Sequence, residues 1–362
     1  MRRRKKYATM NPMSCFISAL KGSRSAVTPV WFMRQAGRSL PEYRKIRGNM
    51  PMLEACLTPE LAGEITAQPV RRHGVDAAVF FSDIVVPIRL ADVDITITPG
   101  VGPTLPHGYD TPQAVEELIS RQITDTDPVT QGVRCAAEKV SVPVLAFAGA
   151  PFTLAAYLIE GRPTRDHLGA RILMHADPKL FSRLLNWCAE MSIAFIRAQV
   201  KGGAKAYQLF DSWAGVLSAE DYRRHCLPAT QKILCTDFSV PSIHFGVGTQ
   251  HLLPAMAQNA DCLGIDFKTP LSQAVALLRE KYASPGAQER KKPVVVQGNI
   301  DPAMLMCPPE ILRPHLDSVL AAGRKADAHI VNLGHGVPKN TDPDVLTKIV
   351  EYVHSQKTGE ND

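Results

Sequence analysis

The sequence predicts an α/β fold, a single (β/α)8 TIM barrel with its active site at the C-terminal face of the strands. Three observations predict it. Eight short apolar runs, rich in β-branched or aromatic residues, recur along the 362 residues. Helical periodicity fills most of the stretches between them, as parallel β-α units require. Polar or small residues unusual for ordinary loops stand directly after the runs, where a barrel gathers its site. A doubly wound sheet would share the first two features and is the structural alternative.

In chain order the predicted strands are Val30–Met33, Ala77–Phe81, Val144–Ala148, Ala206–Phe210, Ser242–Phe245, Leu263–Asp266, Val294–Gln297 and His329–Leu333. A short helix is expected around Ser14–Leu20, before the first of them. Helical spacing is read over Pro59–Arg72, Pro178–Lys201, Thr249–Asn259, Leu271–Glu280 and Pro308–Ala322. Val140 to Ile159 is uncharged over a length that would suit a membrane span. Pro143, Gly149 and Pro151 divide it into a buried strand, a turn and a helix start. The segment Thr98–Pro103 is expected to be a loop.

Composition bounds the function. Lys and Arg total 41 against 35 for Asp and Glu, a formal charge of +6. Hydrophobic residues make up 45% and charged residues 21%. These are ordinary globular values and exclude a disordered chain, a collagen-like repeat or a coiled coil. The mild basic excess suits an anionic small molecule as well as nucleic acid. Eight cysteines occur without a Cys-x-x-Cys pair. They read as reduced, mostly buried thiols of a cytoplasmic protein, with no zinc cluster at usual spacing. Met13–Leu20 is too short and too interrupted for a secretory signal. Residues 1–13 are expected to form a basic, solvated tail, 14–355 the barrel and 356–362 a polar tail.

Candidate site residues follow from the strand ends. Arg34 stands after the first run, and Arg38, Arg44 and Arg47 lie close by. If the chain turns helical after Arg34, Arg34 and Arg38 share a face. Guanidinium groups bind carboxylates or phosphates through paired hydrogen bonds. A surface salt-bridge set with Glu42 and Glu54 is the other reading. Asp83 follows five apolar residues and Ser82, so its carboxylate requires a partner. It serves a cationic or N–H-rich ligand, or it caps a helix or pairs with an arginine. Tyr157 alone reads as core. Ser212 is a candidate helix cap. His335 lies between Gly334 and Gly336, which leave its ring approachable. Gly246-Val247-Gly248 lacks the third glycine of a dinucleotide fingerprint, though its amides suit one carboxylate.

At these segments the sequence resembles the uroporphyrinogen decarboxylase family. The matching blocks are PVWFMRQAGRSLPEYR from Pro29, FFSDIVVP from Phe80, FAGAPFTL from Phe147, QLFDSWAG from Gln208, HFGVG from His244, VVQGNIDP from Val295 and NLGHGV from Asn332. They appear in the family's order, and Asp211-Ser212-Trp213 with His244-Phe245-Gly246 is similar to bacterial members. The resemblance implies a barrel homodimer in the cytoplasm, acting without metal or organic cofactor. It implies uroporphyrinogen III as substrate, with each of four acetates becoming a methyl, and neither nucleic acid nor membrane as partner. It implies catalytic roles for Asp83, Arg34, Tyr157 and His335. It places Gln35, Ala36, Gly37, Arg38, Arg47, Phe210 and Ser212 with them around the substrate. Asp83 would accept pyrrole N–H groups and stabilise a ring cation, and Arg34 is a candidate proton donor.

Departures from the family pattern are Ser39, Arg162 and Arg165 in the loop after Glu160-Gly161, and Phe267. The basic Met1–Lys6 extension has no family counterpart, which leaves Met10 or Met13 as alternative starts. Two other functions compete. Corrinoid-to-thiol methyltransferases share the barrel but bind zinc through a His-x-Cys pair. Here His244 is followed by Phe245 and Gly246. A non-catalytic carrier of polyanions would gain nothing from the Asp83 carboxylate.

Overall fold

A computed structural model describes residues 14–37, 39–284 and 292–356. The predicted basic tail, residues 1–13, lies outside the described residues, as do Arg38 and residues 357–362. Seven parallel strands form one sheet in the spatial order β1 (Ala78–Val79), β4 (Val144–Gly149), β5 (Ala206–Asp211), β6 (Ser242–Gly246), β7 (Cys262–Gly264), β8 (Val295–Gln297) and β9 (Ala328–Ile330). The ladder is in register from Ala78 opposite Val144 through to Gln297 opposite Ile330. β2 (Thr96–Thr98) and β3 (Gly102–Thr104) form a separate antiparallel pair. The expected loop at Thr98–Pro103 is thus the tip of a hairpin. Its alternating threonines pair across the two strands, with Thr98 and Thr104 hydroxyls 2.7 Å apart.

The first predicted strand, Val30–Met33, is reduced to a short stave that closes the sheet. Val30 bridges Val331 in parallel. Val331 N–H donates to Pro29 O at 2.8 Å, and Asp76 N–H donates to Val30 O at 2.8 Å. The stave therefore bonds to the chain after β9 on one side and the chain before β1 on the other. The lumen is crossed by a polar chain. Trp31 Nε1 donates to Gln297 Oε1 at 2.9 Å, and Gln297 Nε2 donates to Gln208 Oε1 at 2.8 Å. These residues sit on non-adjacent staves, so the bonds span the interior and satisfy groups that apolar packing alone would strand.

Helices cover the outside, and their starts are chemically marked. Proline opens Pro41–Arg47, Pro59–His73, Pro151–Glu160, Pro178–Gly202, Pro309–Gly323 and Pro343–Ser355, where a missing N–H costs nothing. Ser14 caps Cys15–Leu20 through Ile17 N–H. The expected Thr249–Asn259 helix is shorter, a 3-10 turn at Gln250–Leu252 followed by Leu253–Met256.

At the N-terminal face one device recurs three times. An aspartate just before one strand caps the first amide of a neighbouring stave. Asp76 accepts from Val30 N–H at 2.7 Å, Asp261 from Ser242 N–H at 2.8 Å and Asp327 from Val294 N–H at 2.7 Å. Asp76 also accepts from Cys15 Sγ at 3.3 Å and lies 2.8 Å from His354 Nε2. It thereby ties the first and last described helices to the barrel. No described helix is long and apolar enough to cross a membrane.

Candidate active site

The opposite face is built from strand ends whose side chains are left with spare capacity. Arg34 follows the closing stave with φ +63°, a left-handed backbone uncommon for arginine. Such a conformation costs about 1–2 kcal/mol, so its surroundings must hold it. Met33 N–H donates to Asn332 Oδ1 at 3.0 Å, and Val337 N–H donates to Met33 O at 2.8 Å. Gln35, wholly buried, accepts from Phe32 N–H at 3.0 Å and donates to Ala77 O at 2.9 Å. The helix considered after Arg34 does not form there. A turn intervenes, and the helix begins at Pro41. Glu42 lies 3.4 Å from Arg72, on the neighbouring helix.

Asp83 sits one turn beyond β1 and is half-buried. Its Oδ1 accepts from Val85 N–H at 3.1 Å, which fixes the turn before Val86–Leu90. Burial pushes its carboxyl above the ordinary aspartate range. The Val85 amide, the Arg34 guanidinium and the Ile84 amide oppose that shift only in part. Among the described residues no ion pair consumes Arg34.

Tyr157 lies on Pro151–Glu160. Burial pushes its phenol up, Asp83 adds to the shift, and Arg34 opposes it. Burial and then Arg34 push the His335 imidazole down, against Asp266. Asp83, Tyr157 and His335 thus all lie within electrostatic reach of Arg34, although they come from separate strand ends. The glycines beside His335, which is itself exposed, also make room for neighbours. A side chain at Gly334 would come within 2.0 Å of Phe267 N, and one at Gly336 within 2.6 Å of Arg34 Cδ. They let the backbone pass under a neighbouring loop and let the arginine stem lie flat.

The remaining candidates divide. Phe210 is half-buried and meets Phe147 and Phe245 edge to face at 5.6 and 5.9 Å, forming an aromatic floor. Ser212 is half-buried and does not cap the following turn, which has no side-chain cap. Gln35 offers the site no side chain, because both ends of its amide hold backbone. Ala36 and Gly37 are half-buried beside Arg34. Arg47 lies farther out. It donates to Met50 O at 2.9 Å and covers the Tyr43 ring at 5.8 Å. The Gly248 amide is already bound to Asp266 Oδ2 at 2.6 Å, so it is not open to a carboxylate. Arg38 lies outside the described residues.

Sequence reasoning missed Trp213. Its ring lies 3.9 Å from that of Tyr157 and stacks on His167 at 4.2 Å. Its position, two residues past a strand end, was the available signal. Among the described residues no group of three His, Cys, Asp or Glu side chains is arranged to hold a metal.

Fold and site together define a barrel whose C-terminal cleft sets one carboxylate among an arginine, a tyrosine and a histidine. The profile of the family described as uroporphyrinogen decarboxylase (URO-D) matches residues 11–356. The chain belongs to that family. It is 49% identical over 346 residues to the uroporphyrinogen decarboxylase of Arthrobacter sp. (strain FB24), covering 94% of this chain and 97% of the relative. It is likewise 49% identical to that of Leifsonia xyli subsp. xyli, covering 96% of each. Among solved structures, a methyltransferase from Methanosarcina mazei superposes with TM-score 0.75 at 18% identity, covering 93% of this chain and 96% of that one. That likeness concerns the fold alone.

Proposed function

We propose that this protein is a uroporphyrinogen decarboxylase, converting the four acetate arms of uroporphyrinogen III to methyls and releasing four CO2. The observation that carries the reading is Asp83, a carboxylate raised in pKa by burial and left with spare acceptor capacity at the mouth of the barrel. A tetrapyrrole offers four N–H donors to such a group, and its carboxylates suit Arg34. Each step adds a proton to a pyrrole ring, making a cation. The bond to the carboxylate then breaks, its electrons neutralise the ring, and CO2 leaves. Protonation of the resulting methylene and loss of the added ring proton complete a methyl. The net change per arm is one proton consumed and one CO2 released.

Asp83 faces the cation, and its charge counts most where water is scarce. At about 4 Å and an effective dielectric near 20 such an attraction is worth about 4 kcal/mol. Arg34, Arg38 and Arg47 bind carboxylate arms, with Arg34 as candidate proton donor. Tyr157, Ser212 and His335 contact the reacting and neighbouring arms, and Phe210 underlies the macrocycle. Gln35, Ala36 and Gly37 shape the Arg34 turn, the latter two beside the substrate. The chemistry needs no metal or organic cofactor, and the enzyme works as a cytoplasmic homodimer. The test is anaerobic turnover of uroporphyrinogen III with a chelator present, followed by chromatography of the oxidised porphyrins. Seven-, six- and five-carboxylate intermediates leading to coproporphyrin support the reading. Binding without turnover indicates a carrier, and turnover only with added zinc or corrinoid indicates the methyltransferase branch.

A further inference from the structure

One layer behind the cleft, Asp211 is wholly buried at the end of β5. Its Oδ1 accepts from the Thr153 hydroxyl at 3.3 Å, and its Oδ2 accepts from the Tyr222 hydroxyl at 3.2 Å. His244 Nε2 lies 3.6 Å from Oδ2, while its Nδ1 turns to Met256 O at 3.1 Å. Thr153 Oγ1 in turn accepts from Trp213 N–H at 3.3 Å. Thr153 lies one helical turn before Tyr157, on the same helix face. Trp213 packs against the Tyr157 ring at 3.9 Å. One hydroxyl therefore joins the strand-end turn to the helix that carries Tyr157. Tyr222 opens a π-helical turn, Tyr222–Cys226, a departure from α-geometry that places its hydroxyl on the carboxylate.

We propose that Thr153 and Asp211, supported by Tyr222 and His244, are positioning residues that set Trp213 and, through it, the Tyr157 ring in the cleft. None of them is placed to touch substrate. They act by holding two elements in one arrangement, so that the tyrosine meets the reacting arm without searching rotamers. A buried carboxylate held by two hydroxyl donors is costly to leave half-satisfied, which makes the arrangement stiff.

This inference rests on the decarboxylase reading, and its test separates the two. Thr153→Val removes the hydroxyl and keeps the shape. The expected result is a fall in kcat of about tenfold, with KM changed less than about threefold. Thr153→Ser restores kcat to within about threefold. Trp213→Phe lowers kcat similarly, and the double variant is no worse than the worse single one, because both act through one contact. Near-ultraviolet circular dichroism supplies a readout independent of turnover. The Trp213 band, obtained by subtracting the Trp213→Phe spectrum, changes in Thr153→Val and returns in Thr153→Ser. If Thr153→Val fails to fold, Tyr222→Phe with Trp213→Phe forms the same cycle. Wild-type kcat and an unchanged Trp213 band in Thr153→Val, or fully additive losses, would overturn the proposal. A wild-type enzyme that does not turn over uroporphyrinogen sinks the decarboxylase reading, while the dichroism still decides whether the network positions Trp213.

Discussion

The two ends of the barrel use aspartate in opposite ways. At the N-terminal face Asp76, Asp261 and Asp327 are spent on backbone, each holding the first amide of a neighbouring stave. At the C-terminal face Asp83 is tied only to the local Val85 and Ile84 amides and keeps the rest of its capacity, with a raised pKa. The contrast teaches where stability and function separate in this fold. Satisfied charges at the bottom close the barrel, and an under-satisfied one at the top waits for a ligand.

The sharpest way to break that comparison is Asp83→Asn. We expect kcat/KM to fall about 10²- to 10³-fold, the scale for losing one preorganised charge. Thermal stability moves the other way. A carboxyl whose folded pKa is raised destabilises the fold once ionised, so at pH 7 the amide leaves Tm unchanged or higher. The same sign puts the acid limb of wild-type activity above the ordinary aspartate pKa of about 3.9. A Tm that drops with activity would make Asp83 a second structural cap.

Asp76→Ala tests the other end. It strands Val30 N–H and removes the partner of Cys15 and His354, and we expect a stability loss of about 2–4 kcal/mol. Denaturant melts measure it, while kcat of the folded fraction stays within about twofold. Gly336→Ala is smaller. The added methyl must displace the Arg34 stem, and a KM rise of about tenfold is expected from the misplaced guanidinium. An unchanged KM would remove Arg34 from substrate binding. Smallest is Arg183→Ala, which removes an exposed pair with Glu116. Exposed pairs contribute about 0–1 kcal/mol, so neither Tm nor turnover should shift measurably.

Much of this was legible along the chain. Seven predicted strands recur within a few residues, because β-branched runs bounded by turn residues carry their own signal. The first run did not become a full strand. Its Val30 closes the ring, but the chain leaves at once through the left-handed turn at Arg34, and bonds from Gln35, Asn332 and Val337 explain how that turn survives. The helix considered after Arg34 does not form for the same reason. The Thr98–Pro103 hairpin was missed because three-residue strands carry too little periodicity. The caps were not read from the sequence, although each aspartate stands within two residues of the start of an apolar run. What each aspartate bonds to was not visible, since its partner stave lies 19 to 46 residues away.

The sequence by itself determined the eight-stave barrel, the strand ends that carry Arg34, Asp83, Ser212 and His335, and the family. Those follow from local periodicity and from residue types at punctuated positions. Tertiary structure alone decided that Gln35 is a clamp, that the Gly248 amide is occupied, and that the glycines beside His335 yield to Phe267 and Arg34. It alone placed Trp213 between Tyr157 and His167, and set Asp211 behind the cleft. Burial, pKa and hydrogen-bond commitment depend on groups far away in the chain, and only closure of the barrel brings those groups together.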